Sequence, residues 1–147
     1  MTSPLTADYQ VGLGSTKYGA SSSTPVSILS IKGLGSQVRS NDANYDLAAG
    51  AVAGTDVADV RVVTIEMEIF DPGNASSVGT YHQAIAALFA ASNTTQTLYV
   101  RFPGIGHLSM QGRTRGMDDD GLADLPLGLV QVTCRFDALV PTMTAVP

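Results

Sequence analysis

The sequence predicts a mainly β domain, an antiparallel β-sandwich or barrel with one flanking α-helix. Three observations carry this expectation. Residues 60–70 and 127–138 alternate apolar and polar side chains at the two-residue period of a half-buried strand. One segment, from Ser77, changes to the helical period. The order is strands, one helix, then strands, with turn formers between them and no internal repeat.

The elements follow in order. Residues 1–24 are rich in Gly, Ser and Thr and gain too little burial to order alone, so they read as a flexible or extended N-terminal arm. Pro25 ends the arm, the domain proper is expected over 25–140, and 141–147 reads as a C-terminal tail. Val26, Ile28 and Ser30 share one strand face. A turn at 33–35 and an extended stretch at 37–40 lead into a polar bend at 41–44. Gly50 and Gly54 would each weaken a helix by about 1 kcal/mol relative to Ala, so 45–55 reads as loop or irregular strand.

The strand 60–70 is the clearest signal in the chain. Val63, Ile65, Met67 and Ile69 point one way, and Val62, Thr64, Glu66, Glu68 and Phe70 the other. Asp71-Pro72-Gly73-Asn74 stops it. Val78, Tyr81, Ile85, Leu88 and Phe89 then form one stripe of a helix about four turns long. Ser76 or Ser77 is the expected cap and Ser92-Asn93 the end. A strand at 97–102 with Leu98, Val100 and Phe102 on one side pairs back, through a turn at 103–106, with 107–115. An acidic loop at 118–124 leads to the last strand, whose Val130, Val132, Cys134 and Phe136 face inward.

Composition limits the partners. The chain has 147 residues, enough for one domain, and a formal charge of −5. That balance argues against gripping nucleic-acid phosphates. Charged residues make up only 14%, against roughly 25% in ordinary globular domains. So much neutral surface is covered either by Ser, Thr, Asn, Gln and Gly or by partner subunits, and partner subunits are the preferred reading. No stretch approaches the roughly 18 to 20 apolar residues of a membrane span, and the N-terminus has no signal-peptide pattern, so synthesis in the cytoplasm is expected.

Candidate chemistry is sparse. His82 and His107 are the only imidazoles, and His82 has no His or carboxylate at i+3 or i+4, so both read as ordinary exposed histidines. Cys134, the single cysteine, reads as core. The run Asp118-Asp119-Asp120-Gly121 resembles a calcium-loop start, but the register that puts Gly121 sixth puts Gly116 first and Leu127 twelfth, where carboxylates are required. Gly12-x-Gly14 precedes no helix and cradles no phosphate. Asn74-Ala75-Ser76 and Asn93-Thr94-Thr95 match the glycosylation pattern, which is expected to carry no meaning where the sequence shows no secretion signal. No catalytic, cofactor-binding or metal-ligating residue is therefore expected. Glu66 and Glu68 are two carboxylates on one strand face. They read as a solvated face or, in a ring, as the lining of a channel that repels a passing polyanion.

The order of Ile31-Lys32-Gly33-Leu34-Gly35, Val38-Arg39, Gly50-Ala51 and the strand 61–69 resembles the N-terminal domain of distal tail proteins of long non-contractile-tailed bacteriophages. The helix, the hairpin and the closing strand 130–138 are similar in order and spacing, and the resemblance covers roughly residues 25 to 140. It implies a β-sandwich related to tail-tube subunits, assembled as a ring of six copies between the tail tube and the tail-tip hub. Tape-measure protein and DNA would pass its lumen, with Glu66 and Glu68 facing inward. The implied location is the virion tail tip, and the partners are the tail tube protein, the hub protein and further copies of the chain. Distal tail proteins usually continue into a carbohydrate-module-like second domain. Here Leu139-Val140-Pro141 stands at that junction, so only the ring or adaptor role is expected. A tail-tube or head–tail connector subunit is the alternative. A monomeric sugar-binding module is disfavoured by the absence of Trp and by 6% aromatics.

Overall fold

The computed structural model describes residues 2–34, 38–39, 43–44, 51–52, 57–58, 61–139 and 143–146. Its strands in chain order are β1 (Gln10–Leu13), β2 (Thr16–Gly19), β3 (Val26–Lys32), β4 (Val38–Arg39), β5 (Ala43–Asn44), β6 (Ala51–Val52), β7 (Val57–Ala58), β8 (Arg61–Phe70), β9 (Gln96–Phe102), β10 (Gly106–Asp119), β11 (Leu129–Ala138) and β12 (Thr144–Ala145). One α-helix, α1 (Ala75–Leu88), lies between β8 and β9, and a single 3-10 turn, Leu125–Leu127, precedes β11.

The main sheet is antiparallel, in the order β2-β1-β9-β10-β11-β8-β3, with β12 added to β10; β4–β7 and β5–β6 form two small separate pairs. The mainly β reading with one flanking helix therefore stands. A Cβ on Gly19 of β2 would come within 3.2 Å of the Ile28 side chain of β3, so the sheet curls until its two outermost strands touch. β10 spans both halves of the sheet. Its first part, from Gly106, pairs with β9, and from Gly112 onward it pairs with β11.

The core lies between this curled sheet and α1. Val63, Ile65, Met67 and Ile69 of β8 and Val130, Val132, Cys134 and Phe136 of β11 are buried, as their alternation requires. Val78, Ile85 and Phe89 of the helix stripe close the layer from above. The helix starts earlier than expected because its cap is Asn74, whose Oδ1 accepts the Ser77 N–H at 3.2 Å. Its C-terminal end is tied to β10. The Thr114 hydroxyl donates to Ala90 O at 2.6 Å, and Gly116 N–H donates to Phe89 O at 2.8 Å.

Other features differ from the sequence reading. The expected arm contributes β1 and β2 to the main sheet, and Leu5, Val11, Leu13 and Tyr18 are buried. A hairpin that shares β9's ladder satisfies its backbone at the sheet edge, so its Gly and Ser content does not stop it ordering. Gln10 is fully buried and fastens the segment before it: its Oε1 accepts Thr6 N–H at 2.8 Å and Ala7 N–H at 3.1 Å, and its Nε2 donates to Ala20 O at 2.6 Å. β10 runs four residues past the expected end at 115, because an irregularity between Thr114 and Met117 absorbs Arg115 and Gly116 and lets pairing resume. Asp118 and Asp119 of the expected acidic loop are therefore strand residues. Finally, Arg61 lies on the inward side of β8, 3% exposed. The expectations over 35–37, 40–42, 45–50 and 53–56 lie outside the described residues.

Candidate functional site

The outer face of β3, β8, β11 and the end of β10 carries the two singled-out glutamates. Strand register fixes its rows. Thr64 sits between Arg135 and Lys32, Glu66 between Thr133 and Ser30, Glu68 between Gln131 and Ser27, and Phe70 beside Leu129. Alternation puts all of these away from the core, so the face is polar in the middle and apolar at one end.

Glu66 and Glu68 have different surroundings. Ser30 Oγ donates to Glu66 Oε2 at 2.7 Å and Lys32 Nζ to Glu66 Oε1 at 3.1 Å. The Ser30 hydrogen bond, then the Lys32 contact and its charge, hold the Glu66 carboxyl below the usual glutamate value. It is ionised at neutral pH and partly neutralised by Lys32. Glu68 accepts from Gln131 Nε2 at 3.2 Å, with no cation on it among the described residues. A shift in register between Ile28 and Ser30 leaves Leu29 extra and 49% exposed, and it turns Ser30 to this outer face, so Ser30 does not share the face of Val26 and Ile28 that strict alternation predicts. Leu29, Glu66, Gln131, Thr133 and Asp120 border a shallow depression of about 250 Å³. Both carboxylates are solvent-facing, so neither has the desolvation that makes a general acid.

The histidines have partners that their own segments do not reveal. His82 Nε2 meets Asp119 Oδ2 at 3.0 Å, joining α1 to the end of β10. That bond and the Gly121 N–H lower the Asp119 pKa. His107 Nε2 meets Ser3 Oγ at 2.7 Å, and Ser3 Oγ also accepts Leu5 N–H at 3.2 Å. Burial, and then the Arg101 charge, keep the His107 pKa below the ordinary imidazole value. A Ser–His contact alone is not a nucleophilic centre, because the base also needs an orienting acceptor on its second nitrogen. Here the contact fastens the N-terminal segment. Arg101–Asp8 at 3.1 Å and Lys17 Nζ to Thr6 Oγ1 at 2.8 Å do the same.

Cys134 is fully buried, and desolvation pushes its thiol up to about 12, so it is inert in the folded protein. Asn74 of the first glycosylation match is occupied in capping α1. Gly12 has Pro4 and Leu5 over it, leaving no room for a phosphate. Among the described residues no three His, Cys, Asp or Glu side chains converge to hold a metal ion, and no helix is long and apolar enough to cross a membrane.

No family model matches the sequence, and no curated protein matches it. Solved structures match the fold. The SPP1 Dit (gp 19.1) protein, described as a paradigm of hub adsorption apparatus in phages that infect Gram-positive hosts, superposes with a TM-score of 0.70 at 14% identity, over 93% of this chain and 52% of that one. A chain of the phage P2 baseplate in its activated conformation with Ca gives 0.66 at 14% identity, over 90% and 44%. A chain of the corresponding assembly with Sr gives 0.64, also at 14%, over 90% and 44%. The fold is shared with phage hub and baseplate chains. This chain spans about half the length of the solved chains it matches.

Proposed function

We propose that the protein is a structural subunit of a long-tailed bacteriophage tail, of the distal-tail type. Six copies form a ring that joins the tail tube to the tail-tip hub and surrounds the conduit for tape-measure protein and DNA. The observation that carries this reading is the fold likeness to SPP1 Dit along nearly the whole chain. The chemistry agrees in kind, since the described site residues offer positioning and packing and no poised nucleophile or base. In the ring, Glu66 and Glu68 face the lumen. Their negative charge, reduced at Glu66 by Lys32, lets a polyanion pass without adhering. The hairpin β1–β2 belongs to the ring-forming body and not to a separate arm.

Negative-stain imaging of the full chain, with immunogold labelling of virions, tests this. Rings with a central opening and label at the tail tip are expected. A particle that stays monomeric at high concentration and is absent from virions would overturn the reading.

A further inference from the structure

Residues 2–8, which precede β1, are held by side chains. Among the described residues their main chain makes no hydrogen bond to another main-chain group. Leu5 N–H donates to Ser3 Oγ, and Thr6 and Ala7 N–H donate to Gln10 Oε1. The segment crosses the outer face of β1 and β9. Gly12 and its ladder partner Tyr99 alternate with the core residues Val11, Leu13, Leu98 and Val100, so they face away from the core, yet both are buried. Pro4 and Leu5 lie over this row: a Cβ on Gly12 would stand 2.8 Å from Pro4 and 2.9 Å from Leu5. The segment is a strap across a notch that the missing side chain of Gly12 leaves.

Two ties hold the strap. Ser3 Oγ meets His107 Nε2 at 2.7 Å, and Asp8 Oδ1 accepts from Arg101 Nε at 3.1 Å. His107 and Arg101 are directly opposite in the β9–β10 ladder, so both ties meet on one cross-strand pair. Because Ser3 Oγ accepts Leu5 N–H, its own hydrogen is available to Nε2, which assigns the neutral ring's proton to Nδ1. Protonation makes Nε2 a donor, reverses that bond, and sets a second cation opposite Arg101. The surrounding groups do not offset it. Asp8 already serves Arg101, Lys17 on Thr6 Oγ1 is a further cation, Tyr99 and Tyr9 are phenols, and residues 144–146, bonded to His107 O through Val146 N–H, have no ionisable side chain. A depression of about 440 Å³, bordered by Asp8, Arg101, Phe102, His107 and Val146, lets water reach the ring.

We infer that residues 2–8 are a proton-released strap, closed over Gly12 and Tyr99 while His107 is neutral and let go when His107 is charged. Burial first, and then the Arg101 charge, disfavour the charged ring in the closed state. Opening relieves both: the ring is wetted, and the Arg101 side chain, no longer tied to Asp8, is free to turn away. The open strap therefore binds the proton more tightly. Closure is fully favoured above the ordinary imidazole value of about 6.5 and weakens as pH falls through it toward the lowered one. The inference does not rest on the ring reading.

Hydrogen exchange at the Leu5, Thr6 and Ala7 amides of the full chain, corrected for the intrinsic pH dependence of exchange, tests it between pH 7.5 and 5.5. That window brackets the imidazole range and stays above the ordinary carboxylate range. Protection is expected to fall by about twofold to fivefold, the size of one like-charged cross-strand pair, while the Ile65 and Val132 amides keep theirs. The midpoint should coincide with the His107 ring titration followed by NMR. His107→Gln keeps a neutral partner for Ser3 and should abolish the pH dependence with His82 still in place. Ser3→Ala should lower protection about threefold to tenfold at pH 7.5. If thermal melting shows that His107→Gln does not fold, Arg101→Gln, which removes the opposing cation, should blunt the fall instead. Equal wild-type protection at both pH values, a midpoint apart from the His107 titration, or an undiminished fall in the folded variant would overturn the inference.

Discussion

Gly112 is where β10 passes from β9 to β11, and it pairs with Gln96 on one side and Ala138 on the other. A Cβ there would lie 2.1 Å from Asp137 O, 2.6 Å from Phe136 and 2.8 Å from the Ala138 Cα. Ordinary non-bonded contact needs about 3.5 Å, so the backbone of β11 must retreat by more than ~1 Å. Two of the three obstructing atoms are backbone, and Phe136 is fully buried, so no flexible side chain can yield. Overpacking of this kind costs about 1–3 kcal/mol, and each ladder hydrogen bond stretched beyond its range adds about 0.5–1.5 kcal/mol. Gly112→Ala is therefore expected to cost about 3 kcal/mol. At about 2–4 °C per kcal/mol for a chain of this size, Tm should fall by about 6–12 °C. Gly79→Ala is the matched control. Its Cβ meets nothing within 4 Å, and Ala in a helix interior is preferred to Gly by about 1 kcal/mol, so Tm should rise. Urea denaturation of both variants checks the pair. A Gly112→Ala stability within about 0.5 kcal/mol of wild type would show that β10 does not approach β11 as closely as described.

Other outcomes follow from the same contacts. Gln10→Leu removes the partners of the Thr6 and Ala7 amides and of Ala20 O; hydrogen exchange over 2–8 should quicken, with a stability loss of about 1–3 kcal/mol in urea titration. Asp119 has a lowered folded pKa, so its contribution to stability is complete above the ordinary carboxylate value and is lost as pH falls through the lowered one. His82→Ala should therefore flatten the acid limb of the stability–pH curve below about pH 4, measured by thermal melts across pH. Cys134 should resist a thiol reagent at pH 8 in the native protein and react on addition of denaturant; fast native labelling would contradict its burial. Phe136→Ala, which empties a fully buried site, should cost about 3–5 kcal/mol by chemical denaturation.

What could be read from the sequence was whatever repeats at short range. Val63 to Ile69 and Val130 to Phe136 alternate without interruption, and their faces are those the structure buries. The helix stripe was readable for the same reason. Its start was not, because Asn74 serves both as the last residue of a turn and as the cap. The first 24 residues were misread through composition. Val11 and Leu13 alternate correctly, but β1 is four residues long, and its partner β9 lies more than eighty residues away. His82 and Asp119 are 37 positions apart and on different elements, so no helical spacing could pair them. The same holds for Ser3 and His107. Glu66 and Glu68 were found as a pair on one face, but Ser30 and Lys32, which give Glu66 its distinct environment, come from the neighbouring strand. The irregularity near Gly116, which extends β10 into the acidic run, has no periodic signature of its own.

The passage of β10 from one neighbour to another has a mechanical consequence. Backbone hydrogen bonds run without a break from the N-terminal hairpin through β9 and β10 to β11 and β8. A load along these strands shears several of those bonds together instead of peeling them singly, and the helix tether at Thr114 and Gly116 stiffens the crossing point. The body should therefore yield as one block under tension, with no half able to give way first.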